Sequence, residues 1–324
     1  MSNELIRVEP SSQTEIGPLA DIADRASDFI RQSRASNTLR AYRSDWAHFV
    51  AWCKVHNQSP LPATPETVAL YVADLSSTHK PGTLTRRLSA ISQAHGIAEL
   101  ESPTGSAKVR LVMAGIRRSQ GTAQTAKTPV LVDDLRRMIS ELQENLLGVR
   151  NRALLLIGFA GAFRRSELVA LDFSDAAVTR EGLVVTILKS KTDQEGEGRK
   201  IGIPYGAHLA TCPIRSLQEW LDRSGIKEGP LFRPINRHGT MADTRLSGAA
   251  VAAVVKRYVG ESGLDASVFA GHSLRSGLAT SAAMAGASER SIMNQTGHRS
   301  LNMVRRYIRD GSLFRENAVS LIGL

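Results

Sequence analysis

Cysteine is nearly missing from this sequence. Cys53 and Cys212 stand in unrelated contexts among 324 residues, which excludes a disulfide framework and any cysteine-based metal motif. Aromatic residues make up only 5% of the chain, too few for a surface that stacks single-stranded bases. No uninterrupted apolar run approaches the roughly 18 residues that a membrane-crossing helix needs. The longest candidate, RALLLIGFAGAF, reads as a buried helix. The opening MSNELIRVEPSSQTEIGPLA lacks a charged stretch leading into an apolar one, so no secretory signal is expected there. A Walker loop, an HExxH motif and a carboxylate cluster suited to paired Mg²⁺ are also missing. Neither a cofactor nor a metal is expected, and the chain is expected to be reduced and cytoplasmic.

What is present is positive charge. Lys and Arg number 41 against 31 Asp and Glu, a net charge of +10. That balance favours a polyanionic partner, nucleic acid before an anionic membrane. Hydrophobic residues at 42% and charged residues at 22% describe an ordinary globular chain, and the length suits two domains rather than one core.

The periodicity supports a mainly α, two-domain organisation. Residues 1–17 are polar and aperiodic and are expected to be disordered. Over 18–118 the pattern is helical. In SNTLRAYRSDWAHFVAWCK, Leu39, Tyr42, Trp46, Phe49, Val50 and Cys53 form one stripe. Thr64 and Pro65 open another helix as N-cap and first residue. Residues 119–130 lack an apolar period and read as a linker. From 131 to 324 a helix is expected through DDLRRMISELQENLLG, stopped by Gly148. A second apolar helix is expected to run through NRALLLIGFAGA into FRRSELVAL. LVVTILKSK and RKIGIPYG alternate with period two, predicting a small antiparallel sheet with TDQEGEG at its turn. Helices then return to the end. The second domain is therefore a mostly helical α+β unit, and a basic two-domain chain with a flexible joint is suited to clasping a duplex.

Several polar residues invite a chemical reading, though each has a plain structural one. His272 and Arg275 in GHSLRSG share a helix face if a helix begins there. Arg164 and Arg165 in GAFRRSEL follow an apolar helix, where pairing with Glu167 is the ordinary role. Lys189 and Lys191 at a hairpin tip ordinarily keep a sheet edge soluble. His298 follows Gly297, and Tyr307 in NMVRRYIRD stands among Arg305, Arg306 and Arg309. Taken together they form a set suited to attack by a tyrosine on a DNA phosphodiester. A phenol of pKa about 10 needs help to lose its proton. Guanidinium groups match the extra charge on the transition-state oxygens, and a lysine can protonate the departing 5′ oxygen.

In order and spacing, GAFRRSEL, LKSKTDQ, GHSLRSG and GHRSLNMVRRYIRD resemble the signature boxes of the tyrosine recombinases, the phage-integrase family, with Cre-like members the nearest likeness. The resemblance spans nearly the whole chain from about residue 20. It implies a helical core-binding domain and a catalytic domain. It also implies a site-specific recombinase that cuts and rejoins DNA through a 3′-phosphotyrosine link, without metal or ATP. By position it assigns Arg164 to the first-box arginine, with Arg165 as the other candidate, and Glu167 to the acidic residue that braces the site. Lys191 matches the hairpin lysine better than Lys189. His272, Arg275 and His298 match the remaining boxes, and Tyr307 the nucleophile.

The same resemblance implies double-stranded DNA with an inverted-repeat site as partner, and a homotetramer on two such sites. In SLFRENAVSLIGL, Phe314, Ala318, Leu321 and Ile322 recur at helical spacing. They suit either packing on their own domain or donation to a neighbouring subunit. For DNA contact the candidates are Arg40, Arg43, Thr85, Arg86 and Arg87 in the first domain, and Arg245, Arg305 and Arg306 in the second. Some of these suit phosphate contact rather than base reading. Small residues around Gly248 to Ala250 stand where relatives can place a base-reading arginine, which points to a different target. Two further readings stay open: a type IB topoisomerase, and a non-catalytic DNA-binding protein of the same fold.

Overall fold

The structure, a computed structural model, describes residues 36–122, 127–188, 198–298 and 300–311. The chain divides into two compact units, Met1–Gln124 and Thr125–Leu324. Both are built mainly of helices, with one small sheet in the second.

The first unit contains α1 (Ser36–Val55), α2 (Pro65–Leu75), α3 (Pro81–Ile97) and α4 (Ala107–Gln120). Its core takes Trp46, Phe49 and Cys53 from α1, Val68 and Tyr71 from α2, Leu84 and Ile91 from α3, and Val109 and Met113 from α4. These are the stripes that a 3.6-residue period places on one face. Thr64 caps α2 as its sequence suggests, its side chain accepting from the Thr67 N–H, with proline at the first helical position.

The second unit begins with α5 (Val132–Ser140), α6 (Leu146–Ala160) and α7 (Arg165–Ala170). Two expected long helices are broken here. The first stops at Ser140 rather than at Gly148, because Asn145 starts a new helix by accepting the Gly148 N–H at 2.9 Å. Gly148 lies inside α6, where a Cβ would come within 1.8 Å of the Gln143 carbonyl oxygen; its role is close backbone approach, not termination. The second expected helix breaks between α6 and α7, where Ala162 takes a left-handed conformation (φ 48°).

Beyond α7 lie β1 (Ala176–Val178), β2 (Gly182–Ile187) and β3 (Arg199–Pro204), antiparallel in the order β1-β2-β3. Leu183 pairs with Ile203 and Val185 with Ile201, so these four bury one face of the sheet. The short β1 carries no periodic signal of its own and was absent from the sequence reading. The turn containing Lys189 and Lys191 lies outside the described residues. Helices α8 (Pro213–Ser224), α9 (Gly248–Glu261), α10 (Ser273–Met284), α11 (Glu289–Thr296) and α12 (Leu301–Gly311) complete the unit. A single large core joins α5, α6, the sheet, α8 and α9. A smaller cluster of Ala279, Ala283, Ile292 and Val304 seats α12 against α10 and α11.

Candidate active site

The break between α6 and α7 sets the first part of the site. Arg164 precedes α7 in extended conformation, and Glu167, one turn on, accepts its backbone N–H at 2.9 Å. The same carboxylate takes Arg164 Nη1 at 2.5 Å and faces Arg199 Nη2 at 3.5 Å. Glu167 is 2% exposed, so its charge is held by these two guanidinium groups rather than by water. Arg165 turns the other way, its Nη1 donating to the Gly248 carbonyl at 3.5 Å. Of the two adjacent arginines, Arg164 is thus the one paired with the buried carboxylate.

The second part comes from α10. His272 sits at its N-cap and Arg275 one turn in. Arg275 is 1% exposed and donates to the Ala162 carbonyl at 2.7 Å, so the left-handed turn after α6 supplies its acceptor. Its other terminal nitrogen donates to His298 Nε2 at 3.2 Å. Burial, with Arg164 nearby, pushes the Arg275 guanidinium down to about 10, which leaves it charged at neutral pH.

The third part is the turn between α11 and α12. Gly297 ends α11 in the left-handed conformation (φ 65°), and a Cβ there would lie 2.3 Å from an Arg199 guanidinium nitrogen. Glycine is required both for the conformation and for the contact. The turn delivers His298, whose Nδ1 lies 2.7 Å from Thr296 Oγ1. Tyr307 follows on α12, on the side that carries buried Val304 and partly buried Ile308. Its hydroxyl lies 3.4 Å from His272 Nε2, and its ring centroid 5.8 Å from that of His298. Burial lowers the pKa of His272, helped by the charges of Arg275 and Arg164. Burial and the same cations push His298 down to about 4. Both imidazoles are therefore neutral at pH 7.

Five side chains from three segments far apart in the chain are thus brought together: two buried or half-buried guanidinium groups, a carboxylate that orients the cations, and two neutral imidazoles that stand against the Tyr307 phenol. Comparison with known proteins identifies the family. Residues 130–312 match the phage integrase family, and residues 29–101 match the phage integrase N-terminal SAM-like domain. This chain belongs to the phage integrase family. It is 44% identical over 301 residues to an integrase/recombinase XerD homolog of Selenomonas ruminantium, covering 91% of this chain and 88% of that one. It is 26% identical over 300 residues to the recombinase Cre of Escherichia phage P1, covering 86% of each. Among solved structures, the Tn1549 transposon integrase in complex with transposon right end DNA shares its fold. That match has a TM-score of 0.63 at 13% identity and covers 91% of this chain and 98% of that one.

Within this integrase-family fold, Arg199 is the site residue that sequence reasoning missed. It begins β3, is half-buried, and donates to the Gln295 carbonyl at 3.4 Å as well as facing Glu167. Its one signal is that an arginine occupies an inward position of a period-two strand, in register with buried Ile201 and Ile203. Lys191 lies outside the described residues.

The proposed DNA contacts separate by exposure. Arg40 and Arg43 are exposed on α1, and Thr85 is exposed on α3. Arg87 is a correction: it is 8% exposed and donates to the Tyr71 hydroxyl at 2.7 Å, because the α3 face it occupies packs on α2. Arg86 is half exposed but its fork grips buried Asp45 at 2.7 and 3.0 Å. Arg245 likewise clamps Asp172 at 2.6 Å and the Val169 carbonyl. Arg305 is exposed and donates to Glu289 at 3.1 Å, and Arg306 is half-buried. No described helix is long and apolar enough to cross a membrane.

Proposed function

We propose that this protein is a site-specific DNA recombinase that cuts and rejoins duplex DNA through a phosphotyrosine link at Tyr307. The observation that carries the reading is the placement of the Tyr307 hydroxyl 3.4 Å from a neutral imidazole nitrogen, beside Arg275 and His298. The phenol gives its proton to His272 as its oxygen bonds to the scissile phosphorus. The bond from phosphorus to the 5′ oxygen breaks, and that oxygen takes a proton and leaves as a hydroxyl. By family resemblance the donor of that proton is Lys191. The 3′-phosphotyrosine keeps the energy of the broken bond, so a 5′ hydroxyl from a partner duplex can reverse the step without ATP.

Charge counting supports this chemistry. Around Glu167, three guanidinium groups against one carboxylate leave two positive charges. A phosphodiester carries one negative charge, and its five-coordinate transition state about two. The protein's own cations thus balance the transition state better than the ground state, and we propose that no metal takes part.

Strand exchange between two sites requires four protomers, and an apolar groove of about 360 Å³ offers a seat for a neighbour's tail. It is lined by Ile203 and Pro213, by Leu278 and Ala282 of α10, and by Ile292 of α11. Its size and apolar lining suit Phe314, Ala318 and Leu321 of another copy; those residues lie outside the described ones. Arg40, Arg43 and Thr85 are proposed to contact the DNA backbone.

The test assumes no target. Fragmented source DNA is incubated with the protein and with Tyr307→Phe, quenched in SDS, and the protein-linked fragments are sequenced. One enriched inverted-repeat site, lost with Tyr307→Phe, is the expected result. Adducts spread over many sequences would point to a topoisomerase. DNA binding with no adduct would leave a non-catalytic binding protein.

A further inference from the structure

The contacts behind His298 determine where its proton sits. A guanidinium only donates, so His298 Nε2, 3.2 Å from Arg275 Nη2, presents a lone pair. The proton of the neutral ring is then on Nδ1, which donates to Thr296 Oγ1 at 2.7 Å. Thr296 is fully buried, and its hydroxyl passes its own hydrogen to the Ile292 carbonyl at 2.7 Å. In this state His298 holds Arg275 and has no hydrogen on Nε2 for a phosphate oxygen.

We infer that Thr296 is a positioning residue whose hydroxyl lets His298 exchange tautomers when a phosphodiester enters the site. The inference rests on the recombinase reading above. A phosphate oxygen takes over the Arg275 donor, and the ring proton leaves Nδ1 while Nε2 gains one, through solvent. Nε2 then donates to the phosphate, and the Thr296 hydroxyl rotates to donate to the bare Nδ1. The ring stays neutral throughout. The Ile292 carbonyl keeps the Thr296 backbone N–H, its partner in the α11 ladder.

A hydroxyl suits this place because rotation makes it acceptor or donor. An apolar side chain would leave Nδ1 unpartnered in both tautomers, and a buried amide or acid would hold one of them. Tautomer exchange is the available route because the groups facing His298 oppose an imidazolium. Arg275, Arg164 and Arg199 are cationic, and His272 adds to them when charged; the Tyr307 ring packs against the imidazole. Glu167, the nearby anion, is already engaged by Arg164 and Arg199.

The experiment compares Thr296→Val, which keeps the shape and loses the hydroxyl, with Thr296→Ser, which keeps the hydroxyl. Ring-¹⁵N histidine spectra of the free protein report the tautomer, with the His298 resonances identified by their loss in His298→Gln. A protonated Nδ1 and bare Nε2 are expected for the unaltered protein and Thr296→Ser, and a shift towards protonated Nε2 for Thr296→Val. Single-turnover adduct formation on the captured DNA site should fall about 10- to 100-fold in Thr296→Val, the range for a buried acceptor left without its partner. Thr296→Ser should stay within about threefold, since its hydrogen bonds remain. A protonated Nε2 in the unaltered free protein would overturn the inference, as would a Thr296→Val that forms adduct at the unaltered rate. If the unaltered protein forms no adduct at all, the recombinase reading fails, and the tautomer spectra still decide whether Thr296 sets the proton position.

Discussion

Replacing Glu167 by glutamine keeps its volume and removes one buried negative charge. The carboxylate now touches Arg164 at 2.5 Å and faces Arg199 at 3.5 Å, at 2% exposure. A unit-charge pair at about 4 Å and an effective dielectric of about 20 interacts by about 4 kcal/mol. Arg199, farther away and partly solvated, adds less. The amide recovers part through its oxygen and through no longer having to be desolvated as an ion. Its NH₂, however, must face an arginine or the Arg164 N–H, a donor against a donor. The net loss should be about 3 kcal/mol, the lower end for breaking a buried pair. Native-state hydrogen exchange of the buried α10 amides reads the opening free energy of this unit alone. The variant should also regain more stability from sulfate than the unaltered protein does, because its three guanidinium groups have lost their internal counter-charge. A loss under about 1 kcal/mol, with equal response to sulfate, would refute the account of Glu167 as the anion that holds the arginines together.

Five other outcomes follow from the site and from the exposed or buried arginines. Tyr307→Phe should abolish the SDS-stable adduct and leave duplex binding by gel shift nearly unchanged, since one hydroxyl is lost from the site. Arg275→Lys keeps a charge but cannot span the Ala162 carbonyl and His298; its adduct rate should fall by about 10²–10³, as when a transition-state donor is removed. The buried imidazole of His298, with its pKa lowered to about 4, contributes stability that is complete above the unfolded value of about 6.5. That stability is lost as pH falls towards about 4, because the unfolded chain takes up the proton first; His298→Gln should flatten the pH dependence of α11 and α12 hydrogen exchange in that window. Arg43→Ala, on an exposed site, should lower the salt slope of DNA binding by about one. Arg87→Ala should leave the slope unchanged and destabilise the first unit by about 2 kcal/mol, because the Tyr71 hydroxyl and Asp45 lose a buried partner.

Much of the architecture was legible along the chain. Helical stripes such as Trp46, Phe49 and Cys53, the Thr64-Pro65 start, and the period-two runs of β2 and β3 are local patterns, and local sterics and burial act on them directly. The family boxes were legible as well, because the residue types that phosphoryl transfer needs stood in a recognisable order. What local pattern could not reveal were interruptions whose cause lies elsewhere in space. The end of α5 and the start of α6 depend on Asn145 capping the next helix and on the backbone contact that Gly148 permits. The left-handed Ala162 makes sense only beside Arg275, which is more than a hundred residues away in the chain and uses its carbonyl.

The order of residues along the chain sets which chemistry is present: a phenol, two histidines, arginines and an acid in the order that one family uses. Tertiary structure alone decided which of them meet. It turned Arg164 onto Glu167 and Arg165 away, turned Arg87 inward to Tyr71, and brought Arg199 from a sheet edge to the site. It also set the proton on His298 through Arg275 and Thr296. A sequence states what a side chain can donate or accept; only the fold states which partner is within 3 Å, and that decides its charge, its tautomer and its use.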